Sequence, residues 1–287
     1  MQIPDEAMGD NAEGAFDQTT LLLKRAPARR VAIIILLVVA GAAGGCVKAV
    51  EKEMTETVEQ TIEMDPTGTL SVGNSNGSVR IYGSAAPEMK MTAIKRARTA
   101  KQLSEIKVDV TERSGAVTID TKFAAQKKRS SSDPMAVDYT LVVPQTVQLT
   151  RLDVENGDVV IVGMRGEGLR ANLVNGQLSA QNCFSNTQLS VGNGALHLSY
   201  DWWEQRSFSI HGQITEGNAS ASIPSRASFH LDAQSSRGKV INDFSETVEL
   251  GGRSARRVEH SVGVGVSPKI SLRATNGDIR IAGIEVN

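Results

Sequence analysis

Two aspartates are the residues whose types and spacing come nearest to supporting catalysis. Asp158 and Asp278 each follow an Asn-Gly pair by one position, and stacked carboxylates could bind Ca²⁺ or act as an acid/base pair on a polysaccharide. Aspartate after glycine is also ordinary turn chemistry, and the repeats between them carry Gln177 and Ala195 at that position. We therefore favour a structural role for both aspartates.

The remaining chemistry-bearing residues are four histidines, His197, His211, His230 and His260. They lack the local spacing of metal ligands, and His197 lies between two apolar strand residues, so it should point outward. The sequence contains no P-loop, no Gly-x-Ser-x-Gly elbow, no His-Glu-x-x-His and no Cys-x-x-Cys. It predicts a protein that is not an enzyme and that holds no metal and no cofactor.

Tyr200, Trp202 and Trp203 form an aromatic cluster in a chain with only 4% aromatic residues. Aromatic faces can stack on sugar rings or anchor a protein partner. These three residues are therefore a candidate ligand-binding surface. The alternative is an insertion loop that folds back over the body.

The elements that would position these residues come from a repeated Asn-Gly pair. The central pairs are 19 and then 18 residues apart, and in each repeat apolar residues lie two and four positions before the Asn and three and five after it. Each repeat predicts two short alternating strands, with inward parity changing at the corner. The corners are Asn156-Gly157, Asn175-Gly176 and Asn193-Gly194, with related corners at Asn76-Gly77 and Asn276-Gly277.

Two architectures fit this pattern. An Asn-Gly pair between strands is a hairpin signal, so one is a meander of antiparallel hairpins. The other is a β-solenoid, because stacked coils must have equal circumference and hairpins have no reason to keep equal spacing. We predict an all-β, single-stranded, parallel β-helix-like solenoid with coils of about 18–20 residues. The corner asparagines would be structural, with amides bonded from coil to coil.

The two outermost corners differ from the central ones. Asn74 places a polar residue two positions before Asn76, as expected of a terminal coil. The coil around Asn276 is fully regular and needs a cover that residues 284–287 are too short to supply. Residues 99–106 are predicted to form a helix.

An apolar segment near the start of the chain predicts a membrane attachment. Lys24, Arg25, Arg29 and Arg30 precede fifteen uncharged residues, 31–45, and then Cys46. This is the pattern of a bacterial lipoprotein signal with Cys46 lipidated, or of an uncleaved signal-anchor helix. Both place the body outside the cytoplasm, in a bacterial cell envelope. The predicted organisation is a tail and anchor or signal over 1–46, a tether over 47–66 and the solenoid over 67–287.

Several motifs resemble the bacterial putative-adhesin domain family. They are NGSVRIYG, NGDVVIVG and NGDIRIAG at three corners, the Val143-Pro144 pair, and SSRGKVINDF ahead of SLRATNGDIRIAG. The resemblance covers roughly residues 67–285 and implies an envelope-associated β-solenoid of unknown function. It brings no catalytic residues.

The function predicted from these observations is a membrane-tethered, non-catalytic binding or structural module. Its partners would be the membrane and an envelope polymer, glycan or protein; a net charge of −1 does not indicate nucleic acid. The alternatives are an enzyme acting on envelope polysaccharide and an accessory protein of an envelope-stress or signalling system.

Overall fold

The structure is a computed structural model that describes residues 31–34, 53–123, 135–244, 256–264 and 268–285, all within one compact unit, Val31–Asn287. The described part contains one short helix, α1, and otherwise strands joined in one large sheet that does not close. The strands are β1 Val31–Ile34, β2 Met54–Glu63, β3 Thr69–Asn76, β4 Val79–Ser84, β5 Glu88–Ala97, β6 Ile106–Arg113, β7 Ala116–Phe123, β8 Ala136–Pro144, β9 Gln148–Asn156, β10 Val159–Val162, β11 Gly168–Gln181, β12 Asn186–Ser199, β13 Ser209–Pro224, β14 Phe229–Ser235, β15 Val240–Asn242, β16 Arg257–Val262, β17 Lys269–Asn276 and β18 Ile279–Ile284.

The predicted helix is confirmed as α1, Ala100–Glu105. Thr99 caps it: its side chain accepts a hydrogen bond from the Gln102 backbone N–H, and the Gln102 side chain accepts one from the Thr99 N–H. This reciprocal capping box fixes where the helix begins.

The central repeats pair in parallel and in register. β11 pairs with β12 and β12 with β13, so that Asn175 lies opposite Asn193, and Asn193 opposite Glu216. Each of these strands runs through its corner without folding back on itself. Antiparallel hairpins at the Asn-Gly pairs, the alternative architecture, do not occur there.

The inward parity predicted from the offsets is confirmed. The apolar residues at those four offsets in the three central repeats are at most 2% exposed and belong to one hydrophobic core. They are Leu152, Val154, Val159, Ile161, Ala171, Leu173, Leu178, Ala180, Leu189, Val191, Leu196 and Leu198. Because the neighbouring strands pair in parallel and in register, equivalent aliphatic side chains lie side by side in this core.

Close contact between successive corners explains the glycines. Gly157 has a φ of +144°, which L side chains rarely adopt, and a Cβ there would lie 2.2 Å from the Gly77 carbonyl oxygen. The same relation continues from corner to corner through Gly77, Gly157, Gly176, Gly194, Gly217, Gly277 and Gly238. Only glycine lets the backbones approach this closely.

The corner asparagines form a ladder of side-chain hydrogen bonds. The amide nitrogens of Asn156, Asn175 and Asn193 each donate to the side-chain oxygen of the asparagine one corner earlier, at 3.0 Å. Asn276 donates to Glu216, which stands where asparagine would be expected. Coil-to-coil amide bonding is therefore observed at these corners.

The parallel strands do not pair in chain order at either end of the sheet. β17 and β18 lie between β13 on one side and β14 and β15 on the other. At the other end, β3 and β4 lie between β7 and β8 on one side and β9 and β10 on the other. The regular coil around Asn276 thus receives its cover from β14 and β15, which precede it in sequence.

The terminal position expected of Asn74 is wrong, because β3 and β4 have β7 and β8 on their outer side. The polar side chain of Asn74 is accommodated there through the backbone. Asn74 is 5% exposed and its amide donates to the Val137 carbonyl oxygen at 2.9 Å. At the other corners, the added Cβ of each glycine would contact the carbonyl oxygen of the neighbouring corner glycine. For Gly77 that oxygen belongs to Val137, at 2.3 Å, so Val137 takes the place of the next corner glycine. The asparagine therefore satisfies a backbone acceptor at a position where the column of corners ends.

The region ahead of the repeats differs from the predicted tether. β2, Met54–Glu63, pairs antiparallel along its whole length with β5, and Lys95 holds Glu56 at 3.1 Å. The sheet therefore begins before residue 67. β2 is mostly exposed or half-buried, which suits an outer strand, and a high charge content alone does not distinguish such a strand from a tether.

The predicted anchor lies mostly outside the described residues. Val31–Ile34 forms β1, which pairs antiparallel with β2 instead of starting a helix. Residues 35–52, including Cys46, are not described. Among the residues that are described, no helix has the length and apolar character needed to cross a membrane.

Candidate functional site

A polar groove runs across the outward side of the strands that precede the corners. Outward positions alternate with the buried ones, so register stacks them into rows at about 4.8 Å spacing. The first row is Asp120, Gly73, Asp153, Asn172, Ser190, Gln213, Arg273, Gln234 and Arg257. The second is Arg170, Gln188, His211, Ser271, Asp232 and Glu259. We call these two rows the outer groove.

Three open depressions along the outer groove adjoin one another. Their volumes are about 380, 230 and 590 Å³. Asn172 lines the first two, and His211 and Arg273 line the last two. Since the longer row crosses nine strands, the groove extends over roughly 40 Å.

At the β7 end of the outer groove, the Arg151 side chain lies over Gly73. Arg151 contacts Asp120 at 2.7 Å and donates from Nε to the Ser71 hydroxyl at 2.7 Å. Gly73 lies beneath, and a Cβ there would stand 2.5 Å from the Asp120 carboxylate. The glycine leaves room for this ion pair, which neutralises the aspartate.

The middle of the groove is lined by groups that form hydrogen bonds from coil to coil. Asn172 donates to Asp153 at 2.8 Å, Arg170 to the Gln188 side-chain oxygen at 2.9 Å, and Gln213 to the Ser190 hydroxyl at 3.0 Å. These bonds leave further donors and acceptors on the same side chains.

Beside these residues, Gly212 lies at the bottom of the groove. Gly212 stands at an inward position between Leu189 and Leu272. A Cβ on Gly212 would lie 2.7 Å from the Leu272 side chain, so the leucine already occupies that space.

The β16 end contains a pair of facing carboxylates, Asp232 and Glu259. A glycosidase needs one carboxylic acid with a raised pKa. The hydrogen bond from Arg273 instead holds the pKa of Asp232 below its usual value, against a smaller opposing effect of burial. The Glu259 side chain is 76% exposed and bonded to Arg257. The pair has the properties of an ion-pair network and lacks those of a general acid.

Two of the four histidines lie within hydrogen-bond distance of serines. His230 Nδ1 lies 2.7 Å from the Ser261 hydroxyl, and His197 Nδ1 lies 2.8 Å from the Ser220 hydroxyl. His197 points outward, as predicted. Within the described ranges, no three His, Cys, Asp or Glu side chains are placed to hold a metal ion.

The two aspartates that follow corner glycines bind backbone. Asp158 accepts from the Gln177 N–H at 3.2 Å, and Asp278 accepts from the Lys239 N–H at 3.0 Å. Each carboxylate thus satisfies a donor of the adjoining coil. They belong to different coils and share no site.

Comparisons with known proteins add the following. No protein-family model matches the sequence, and no curated protein matches it. Solved structures do: a putative cell adhesion protein from Clostridium sporogenes is 13% identical, with a TM-score of 0.45 over 79% of this chain and 99% of that one. A putative adhesin from Bacteroides fragilis is 12% identical, with a TM-score of 0.26 over 78% and 96%. A putative lipid binding protein from Parabacteroides distasonis is 9% identical, with a TM-score of 0.25 over 78% and 96%.

The chain resembles bacterial putative adhesins.

The aromatic cluster lies largely inside the body. Tyr200 is 1% exposed and its hydroxyl donates to the Cys183 carbonyl at 3.0 Å. Trp203 donates to the Ser228 carbonyl at 3.0 Å, whereas Trp202 is 44% exposed. Of the three residues in the candidate surface, Trp202 presents the most ring area to a ligand.

The buried aromatics fill the turns that lead from one coil to the next. Phe184, Tyr200, Trp203, Phe208 and Phe229 contact one another, with ring centroids 5.1 to 6.4 Å apart. Cys183 is buried beside them, and burial raises the pKa of its thiol to about 11. The recurrence of an aromatic residue in successive connecting turns was the signal that could have identified this internal column.

The outer groove was not found from the sequence. Its residues come from coils far apart in the chain, and Asn172, Gln213 and Arg273 occupy ordinary outward positions. The signal that existed was the absence of aspartate and glutamate from the outward positions before the corners in β11, β12, β13 and β17.

Proposed function

We propose that the body is a β-solenoid that acts as a non-catalytic binding module, with the outer groove as the site of an extended polymer. Parallel, in-register stacking of β11, β12 and β13 supports the solenoid. The observation that carries the function is the pair of polar rows that cross the strands without interruption by a large apolar side chain.

The shape of the groove favours a polymer over a small molecule. Small-molecule sites enclose most of their ligand, whereas these three depressions are open and adjoin over roughly 40 Å. Side chains repeating at strand spacing offer the same kind of contact many times. A chain of repeating units can use all of those contacts at once.

Blocking the groove tests this proposal without assuming the ligand's chemistry. Ser190→Trp places a large ring in the middle of the groove, where the wild-type side chain is half-buried. Ser179→Trp makes the same change at an outward position after the corner in β11. We expect full-length Ser190→Trp to lose binding across a glycan array while Ser179→Trp retains it, with both melting like the wild type.

Two outcomes would count against the groove. Equal binding by both variants would move the site elsewhere on the body. Loss of binding only after replacement of Trp202 would return the site to the aromatic cluster.

We further propose that residues 1–46 attach the body to the membrane, with the body outside the cytoplasm. Support comes from the basic residues Lys24, Arg25, Arg29 and Arg30 ahead of an uncharged segment ending at Cys46. Cys46→Ser should release a lipoprotein from membranes, whereas an uncleaved anchor would stay bound. Recovery of the wild-type protein in the soluble fraction would contradict attachment and would favour the pairing of β1 with β2.

A further inference from the structure

The central segment of the outer groove carries cations but no carboxylates. In β11, β12, β13 and β17, the outward positions before the corner hold three cations, Arg170, Lys269 and Arg273, and otherwise only His211, amides, hydroxyls, glycine and one valine. Lys269 lies two residues before the second row, on β17, and lines the same depression of the groove as Arg273. Asp153 and Asp232 stand at the two borders, on β9 and β14. A ligand in the central segment therefore meets positive charge, and carboxylates face it only at the two borders.

Two of these cations have no carboxylate partner within the described part of the chain. Arg170 bonds to the neutral side-chain oxygen of Gln188, and the Lys269 ammonium has no ion-pair partner there. Arg273 differs, because Asp232 holds it. Since an unpaired surface cation gains free energy from an incoming anion, Arg170 and Lys269 are the groups available to one.

The spacing of the cations distinguishes between anionic polymers. Arg170 and Lys269 lie three strands apart, on the order of 15 Å. Double-stranded DNA carries one charge per about 1.7 Å of axis and is usually held by many contacts to phosphate. The groove instead places amides and hydroxyls between these two cations, such as Gln188, Asn186 and Ser209, which suit sugar hydroxyls.

We propose that the central segment of the outer groove binds an acidic polysaccharide, a sugar polymer carrying carboxylate or sulfate groups. Arg170 and Lys269 face its anionic groups, and the amides and hydroxyls between them bind its sugar hydroxyls. This proposal rests on the proposed function of the groove and specifies the class of polymer.

The test uses full-length protein and two polymers that differ only in charge. Fluorescently end-labelled polygalacturonate and its methyl-esterified form share a backbone, but esterification removes the carboxylates. We expect tighter binding to the acid form at low ionic strength, with the difference shrinking as salt screens the charges. The variant Arg170→Gln with Lys269→Gln should bind the acid form about 4- to 25-fold more weakly, from about 2- to 5-fold for each exposed ion pair.

Three controls make the result specific. Arg280→Gln removes an exposed arginine that follows the corner in β18 and should leave binding unchanged. The double variant should bind the esterified polymer like the wild type. Circular dichroism and thermal melts should show that each variant is folded.

Several outcomes would overturn the acidic-polysaccharide proposal. Equal affinity for both polymers, or no effect of the double variant, would remove charge recognition while leaving the groove as a binding site. Tighter binding to duplex DNA of equal length would make nucleic acid the ligand. No binding to either polymer would also refute the proposal, and the Ser190→Trp glycan-array comparison would then decide independently whether the groove binds anything.

Discussion

Replacing one corner glycine should destabilise the body through steric overlap between adjacent coils. In Gly157→Ala, a φ of +144° costs alanine about 1–3 kcal/mol of strain. The new methyl group would also lie 2.2 Å from the Gly77 carbonyl oxygen, so the corner must move. That movement threatens the hydrogen bond from the Gly157 N–H to the Asn175 carbonyl, at 3.0 Å, and losing a bond of this kind costs about 0.5–1.5 kcal/mol. The expected loss is about 1.5–4.5 kcal/mol in the free energy of unfolding.

Gly163→Ala is the matched control. Its φ is +72°, and the nearest atom to its added Cβ, the Gly83 carbonyl oxygen, lies 3.9 Å away. Only the conformational cost remains, about 1–2 kcal/mol. Urea unfolding at constant m-value measures both losses. Equal losses in Gly157→Ala and Gly163→Ala would show that contact between adjacent corners contributes nothing and would refute the steric argument.

Three further predictions concern the core, the buried thiol and acid stability. Ile161→Asp should abolish the cooperative thermal transition by burying an unpaired charge, whereas Val160→Asp, one position away and half-buried on the outward side, should lower Tm by a few degrees; similar melts would contradict the inward parity. With the other cysteine replaced by serine, Cys183 should react with a thiol reagent at pH 8 only on unfolding, because burial raises its pKa to about 11; labelling of the native protein at the rate of a free thiol would contradict this. The hydrogen bond from Arg273 lowers the pKa of Asp232, so the stability that this carboxylate contributes should be present above about pH 4 and lost as the pH falls through the lower folded-state pKa. Measured by urea midpoints, Asp232→Asn should therefore be less stable than the wild type at pH 6 and similar to it near pH 2. A constant difference in stability across that pH range would contradict this prediction.

The strand pattern was predictable because it depends on local chemistry. Positions two and four before Asn156, Asn175 and Asn193 must be apolar if successive coils share one core, and the sequence shows that period directly. The glycines after them were predictable as corners for the same reason. Their second role, giving adjacent backbones room, is visible only once the corners are in contact.

The order of the coils at the two ends was not predictable. Every coil presents the same unpaired backbone groups to its neighbour, so nothing local tells the coil around Asn276 whether to follow Glu216 or Arg237. It contacts both, and lies between them. The choice depends on the fit of whole coils, which a repeat pattern does not contain.

The candidate aromatic surface shows a different limit. In a chain poor in aromatic residues, Tyr200 and Trp203 stood out as a candidate ligand-binding surface, with a loop folded back over the body as the alternative. In the structure Tyr200 is 1% exposed, and the Trp203 ring packs against Tyr200, Phe208 and Phe229. Composition identified unusual residues, but only the packing shows which side of the turn they occupy.

The insertion of β17 and β18 has a consequence for how the molecule is made. These two strands pair with β13, which lies about 60 residues earlier in the chain, and on their other side they pair with β14 and β15. A chain leaving a ribosome or an export channel amino end first can complete the coils through β13, but β14 and β15 must wait for strands that have not yet emerged. Proteolytic loss of β17 and β18 would remove an interior coil and separate β14 and β15 from the rest. We therefore expect folding to finish when β17 and β18 insert between β13 and the pair β14 and β15. Without β17 and β18, β14 and β15 would have no place in the sheet next to β13.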